Sequence, residues 1–253
     1  MKEKKPRIEG RKAKLIVPHK EIVYRDVELG FVHPSFIDKT YETVGKKILE
    51  SGLSIPTGYQ TASLIHGAYN SEELEFRGVQ DILLKRGLWV FNANLWTPDG
   101  VYVVYDSKAR GCESLYGGRD ELEERLRGGR EIDGVRFNED RSVSFAPKES
   151  YKLGDHTPES LAKDGFVIAS FGPEGAEKLG EVASKFKGKP EIFGYSVGNL
   201  KEKEHKISSL FTTSRHDDCG LLFSGSGESY YEDYMHAYGV QKTDEAIMHE
   251  NGV

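Results

Sequence analysis

Two cysteines, Cys112 and Cys219, are all that the 253 residues contain. They lie far apart, with no C-x-x-C and no Cys or His pair at structural-zinc spacing, which excludes a disulfide framework and a zinc ribbon. No metal site is indicated. Long apolar runs are also missing. Only Leu15-Ile16-Val17 follow the charged start before Pro18, too little for the apolar region of a signal peptide. Nothing approaches the roughly 20 apolar residues of a membrane span. The expectation is therefore a cytoplasmic protein without a membrane partner. The nucleotide signatures G-x-G-x-x-G and G-x-x-x-x-G-K-[ST] are absent, as is the nucleophile elbow G-x-S-x-G, so no cofactor is expected.

What the chain does have is charge asymmetry. Its net charge is -6, yet the first twenty residues carry eight Lys and Arg against two acids. A basic arm on an acidic body either reaches an outside polyanion or folds back on the body. Lys4, Lys5, Arg7, Arg11, Lys12 and Lys14 are the candidate polyanion-binding residues, and nucleic acid is a possible partner through residues 2–14, with affinity that falls as salt rises. No aromatic residue precedes Tyr24, so stacking on single strands is not indicated. The bland alternative is a solubilising arm.

Along the chain, residues 1–13 read as a mobile basic arm and 14–29 as edge strands around Pro18. A first helix is predicted over 36–51, capped by Ser35, with Ile37, Tyr41, Val44 and Ile48 on its buried side and Gly52 as its stop. The T-x-x-Q pair Thr57 and Gln60 starts a second helix. A third runs over 71–86, with Phe76, Val79 and Leu83 inward. At Leu88 the apolar period changes from 3.6 to 2, and Thr97-Pro98-Asp99-Gly100 turns the chain, predicting a hairpin over 88–105. One of its faces carries Trp89, Phe91 and Leu95 into a core; Asn92 and Asn94 mark the other as polar or ligand-binding. Asp120 and Glu123 form another capping box, and a second hairpin is expected with Val135 and Phe137 facing Val143 and Phe145. Thr157 and Pro158 open a short helix ended by Gly165, the run 166–171 reads as a strand, a helix follows Gly172-Pro173, and 190–195 returns as a strand. Together these would make a strand–helix–strand crossover.

The densest chemistry is Ser214-Arg215-His216-Asp217-Asp218-Cys219. A base, two acids and a thiol in one turn would suit a hydrolase or transferase centred on His216, Asp218 or Cys219 and assisted by a distant His66. Adjacent residues rarely share one pocket, so a polar turn with a small Cys is the competing reading. His156 beside the Thr157 cap reads as an anion site or as simple capping, and Gly172-Pro173-Glu174-Gly175 sits where a phosphate loop would, although Glu174 would repel phosphate. Ser226, between two glycines, lacks the nucleophile-elbow pattern.

The segments PTGYQTASLIHGAYN (56–70), 88–105 and HTPESLAKDGFVIASFGPEGAEKLGEV (156–182) resemble a set of uncharacterised archaeal proteins over about residues 30–195. The resemblance implies that this central part is a recurring unit and carries over no functional residue.

The sequence thus reads as an α+β protein. N-terminal helices lead into an antiparallel hairpin, and a mixed α/β segment shares its sheet. The reading places a single domain over 14–240, with possible sub-boundaries near 107–120 or 198–206 and a polar tail over 241–253. A non-catalytic binding or accessory protein is the leading function, with the His216-centred enzyme and the nucleic-acid binder as alternatives.

Overall fold

The computed structural model describes residues 7–9, 14–20, 26–194, 204–213, 218–227 and 234–242. The fold is α+β, as expected, and is built on two sheets.

The small sheet holds β1 (Arg7–Glu9), β2 (Lys14–Lys20) and β3 (Asp26–Val32) in antiparallel order. Pro18 sits in β2 beyond the last residue that β1 pairs, where a strand tolerates a missing donor. The mobile-arm expectation for residues 1–13 therefore fails at Arg7–Glu9, which pairs with Lys14–Ile16 because Leu15 and Ile16 bury there and give the arm a sheet edge to join.

Phe36–Asp38 forms β4 rather than the first turn of a helix, and Ile37, expected on the buried side, is 42 % exposed in it. The Ser35 hydroxyl is spent on Nδ1 of His236 at 2.8 Å, so it does not cap. Thr40 caps instead, accepting from the Thr43 amide, and α1 spans Tyr41–Glu50 with Tyr41, Val44 and Ile48 buried. The Thr57 box closes reciprocally at the start of α2 (Gly58–Tyr69), and α3 (Leu74–Lys85) keeps Phe76, Val79 and Leu83 inward.

The predicted hairpin is β5 (Leu88–Thr97) and β6 (Gly100–Tyr105), but all ten residues of β5 are buried. Trp89 and Phe91 pack on Tyr41, Val44 and Ile48 of α1, whereas Leu88, Val90 and Trp96 join the larger core with Ala62, Ile65 and Phe166. Helices cover both faces, so Asn92 and Asn94 are not a polar surface. The amide of Asn92 donates to the Ser170 carbonyl, and that of Asn94 to Ser208 Oγ and the Gly225 carbonyl.

A 3-10 turn (Gly111–Leu115) leads to α4 (Gly118–Leu126), whose Asp120–Glu123 box does not form. Glu123 instead takes a bidentate pair with Arg136 (2.9 and 3.1 Å) and the Tyr102 hydroxyl, partners far stronger than an exposed cap. The second hairpin is present as β8 (Val135–Phe137) and β9 (Val143–Pro147), with β7 (Arg130–Ile132) outside β8 and β6 inside β9. Its register is one residue off the expected one: Phe145 pairs with Arg136 and Ser144 with Phe137, so Val135 and Phe137 enter the larger core while Val143 and Phe145 join a separate cluster on the other face.

After β10 (Gly154–Asp155) comes α5 (Pro158–Ala162), with its Thr157 cap. The apolar run expected as a strand is α6 (Gly165–Phe171), started by the Asp164 carboxylate accepting from the amides of Phe166 and Val167. Every residue of α6 is buried, so no polar face reveals its helical period. The crossover expectation falls with it. Gly172 then has φ 73 and opens α7 (Pro173–Ala183).

β11 (Glu191–Phe193) runs antiparallel to β10 and parallel to β13 (Leu221–Ser224), and β12 (Glu204–Thr212) lies between β13 and β5. β14 (Met235–Ala237) bridges β4 and the Leu88 end of β5, and β15 (Val240–Lys242) completes the small sheet against β3. Among the described residues no helix is long and apolar enough to cross a membrane.

Candidate functional site

Where β6 ends, the chain makes a tight turn through Asp106 to Gly111 that packs on α1. The buried Asp106 carboxylate accepts from the Gly111 amide at 2.7 Å and from the Tyr41 hydroxyl at 3.2 Å, while the Asp106 carbonyl accepts from the Ala109 amide. Burial raises the Tyr41 hydroxyl well above its ordinary value, with the Asp106 charge adding to it, so the phenol stays a donor. Ala109 has φ 50, a left-handed conformation that costs a non-glycine residue about 1–2 kcal/mol. Its methyl group meets α1 at Gly45, the only side-chain size that fits: a Cβ on Gly45 would lie 2.0 Å from that of Ala109. A strained residue held by its surroundings is a signature of functional turns.

The turn and α1 border an open cleft of about 580 Å³, lined among others by Glu42, Lys46 and Leu49 from α1, by Lys108, Arg110, Cys112 and Tyr116 from the turn and the 3-10 segment, and by Ile207 from β12. Ile207 reaches it because the β12 register on β5 shifts between Ile207 and Ser208. Volumes in this range suit a small ligand. The Cys112 thiol is pushed up first by burial and then by the Glu42 charge, with Lys206 opposing, so it is held as the thiol rather than the nucleophilic thiolate. Among the described residues no histidine lines the cleft. Lys46 pairs with Glu50 at 3.7 Å in an exposed contact, whereas the side chains of Lys108 and Arg110 form no hydrogen bond or ion pair among the described residues. Leu49 and Tyr116 are 40 % and 77 % exposed.

The residues singled out from the sequence fare differently. His216 and Asp217 lie outside the described residues, as do Lys4, Lys5, Arg11 and Lys12. Arg7 stands in β1, and the methylenes of Lys14 lie over Gly30, which has no side chain to displace them. Asp218 is exposed, and Cys219, partly buried, gives its carbonyl to the Gly188 amide. Cys219 lies near Tyr69, whose hydroxyl is pushed up first by burial and then by the thiol's charge. His66, three residues before Tyr69, is engaged by Glu181 of α7 at 2.6 Å.

Geometry also rules out three chemical readings against which the sequence already speaks. His156 is buried, with Nε2 donating to the Lys152 carbonyl at 2.8 Å and Nδ1 on Ser160 Oγ, so it ties β10 to α5 instead of facing an anion. The nearby Asp164 carboxyl is raised by burial. Glu174 pairs with Arg141 at 3.6 Å and places its own charge at the start of α7, which leaves no phosphate loop there. Ser226 is buried with Ser224 as its hydroxyl partner at 3.0 Å, not an imidazole.

The cleft has no counterpart in the sequence analysis, where 107–120 is a possible boundary and Cys112 is one of two distant cysteines. The available signal was Lys108-Ala109-Arg110-Gly111-Cys112, a basic turn directly after a strand. Among the described residues, no three His, Cys, Asp or Glu are placed to hold a metal ion. No protein-family model matches the chain, and no curated protein and no solved structure matches it either.

Proposed function

We propose that this is a non-catalytic binding protein whose ligand site is the cleft between α1 and the 106–116 segment. The observation that carries the reading is the pairing of a ligand-sized cleft with a pre-organised wall: Asp106, Ala109 and Gly45 hold the turn in one conformation. Rigid walls lower the ordering cost of binding. Chemistry at this site is disfavoured, because burial keeps its thiol protonated and, among the described residues, no imidazole lines the cleft to deprotonate it. The two free thiols, Cys112 and Cys219, support a reducing, cytoplasmic setting.

The test uses Cys219→Ser protein, in which N-ethylmaleimide can modify only Cys112 and so plug the cleft. Saturation-transfer NMR with phenol and phenyl phosphate as probes should give signals that disappear after the modification. If the plugged protein gives the same signals as the open one, the cleft is not the ligand site.

A further inference from the structure

Resting on that reading, we infer that the cleft selects a small ligand with one anionic head and an apolar or aromatic body, a carboxylate or phosphate monoester rather than a nucleic-acid backbone. Lys108 and Arg110 flank the left-handed Ala109 and both line the cleft. Neither side chain has a carboxylate partner among the described residues, and both stand on a turn fixed by the Asp106 carboxylate and by the Ala109–Gly45 contact. Unpaired charge on a rigid support is ready to meet an oppositely charged group without breaking an existing pair, and charge-assisted hydrogen bonds are the strong kind. Arg110 presents a fork that matches two oxygens of one head group.

The rest of the lining limits that ligand. Tyr116, 77 % exposed, and Leu49, 40 % exposed, offer apolar area that water gains nothing by wetting. Glu42 and Glu113 also line the cleft. With Lys46 beside Lys108 and Arg110 the lining carries three cations against these two carboxylates, a net charge of +1 that suits one anionic head better than a run of phosphates. One anionic head satisfies Lys108 and Arg110, and a polyanion does not.

The experiment compares phenyl phosphate, benzoate, phenol and a single-stranded oligonucleotide on Cys219→Ser protein, with and without maleimide on Cys112. Phenyl phosphate and benzoate should bind at least about tenfold more tightly than phenol, as expected for a charge-assisted contact. The double substitution Lys108→Ala/Arg110→Ala should remove that advantage while leaving phenol unchanged. A control that deletes two exposed cations elsewhere, Lys148→Ala/Lys187→Ala, separates local contact from net charge, and its affinities should match the parent protein. Melting midpoints confirm that each variant is folded.

Phenol binding as well as phenyl phosphate would overturn the inference, as would equal losses in the two double variants, tighter binding of the oligonucleotide, or no binding of phenyl phosphate at millimolar concentration. Those results still leave the cleft reading standing if maleimide abolishes whatever binding is seen. Binding that survives the maleimide would instead sink the cleft reading itself.

Discussion

The Tyr41 hydroxyl donates to the Asp106 carboxylate across 65 residues of chain, joining the first turn of α1 to the turn that follows β6. Replacing Asp106 by Ala leaves that hydroxyl and the Gly111 amide buried without a partner. The expected loss is about 3 kcal/mol in chemical denaturation, since each orphaned group retains its desolvation cost. Cys112 should then alkylate faster, because the turn that covers it is released. A loss below about 1 kcal/mol would mean that water replaces the carboxylate and that the turn is not held as described.

Gly45→Ala tests the other anchor. The added methyl group meets the Ala109 side chain at 2.0 Å, and the wall of the cleft must move to admit it. Overpacking of this kind costs about 1–3 kcal/mol. Cleft binding of phenyl phosphate should weaken in the same variant, and unchanged stability together with unchanged binding would contradict the close approach.

Trp89 is 4 % exposed, and its Nε1 has no hydrogen-bond partner among the described residues. Trp89→Ala should therefore cost about 3–5 kcal/mol through the cavity it leaves. Trp89→Phe should cost much less, because it removes no hydrogen bond. Similar losses for the two variants would show that the indole N–H is paired after all.

Two cap sequences of the same type should behave differently. Thr57→Ala breaks a formed box and should lower stability by about 1 kcal/mol. Asp120→Ala touches a helix start with no side-chain cap and should change stability by less than about 0.5 kcal/mol. Thermal melts of the pair settle the matter, and a reversed order would refute the assignment.

Alkaline stability follows from Tyr105. Its hydroxyl, which donates to the Ile55 carbonyl, is pushed up from 10.0 to about 12 by burial, with the Asp106 charge adding to it. A raised folded-state value means that the contribution is whole below pH 10 and is lost as pH climbs toward about 12. Unfolding free energy should thus fall over that window, and Tyr105→Phe should flatten the fall there. An unchanged slope in the variant would show that other groups set the alkaline limit.

How much of this was legible depended on how local each cause is. The α2 start could be read because Thr57 and Gln60 satisfy each other's amides within one turn. The β5–β6 hairpin could be read because period 2 and a Pro-Asp-Gly turn sit within eighteen residues, and α7 because its apolar stripe, Ala176, Leu179 and Val182, recurs at helical spacing.

Other outcomes were set by distant partners. Ser35 and Glu123 have the side chains of caps, yet His236 claims the first, and Arg136 and Tyr102 claim the second. Residues 166–171 look like a strand because burial on all sides erases the period that distinguishes a helix, and only the packing of α6 between the helices and the sheet resolves it. Asn92 and Asn94 looked like a wet face until a second helical layer covered them. The cleft belongs to the same class. Lys108 to Cys112 are contiguous, but the wall opposite is α1, more than fifty residues earlier, and pattern along a chain carries no information about which distant surface closes on it.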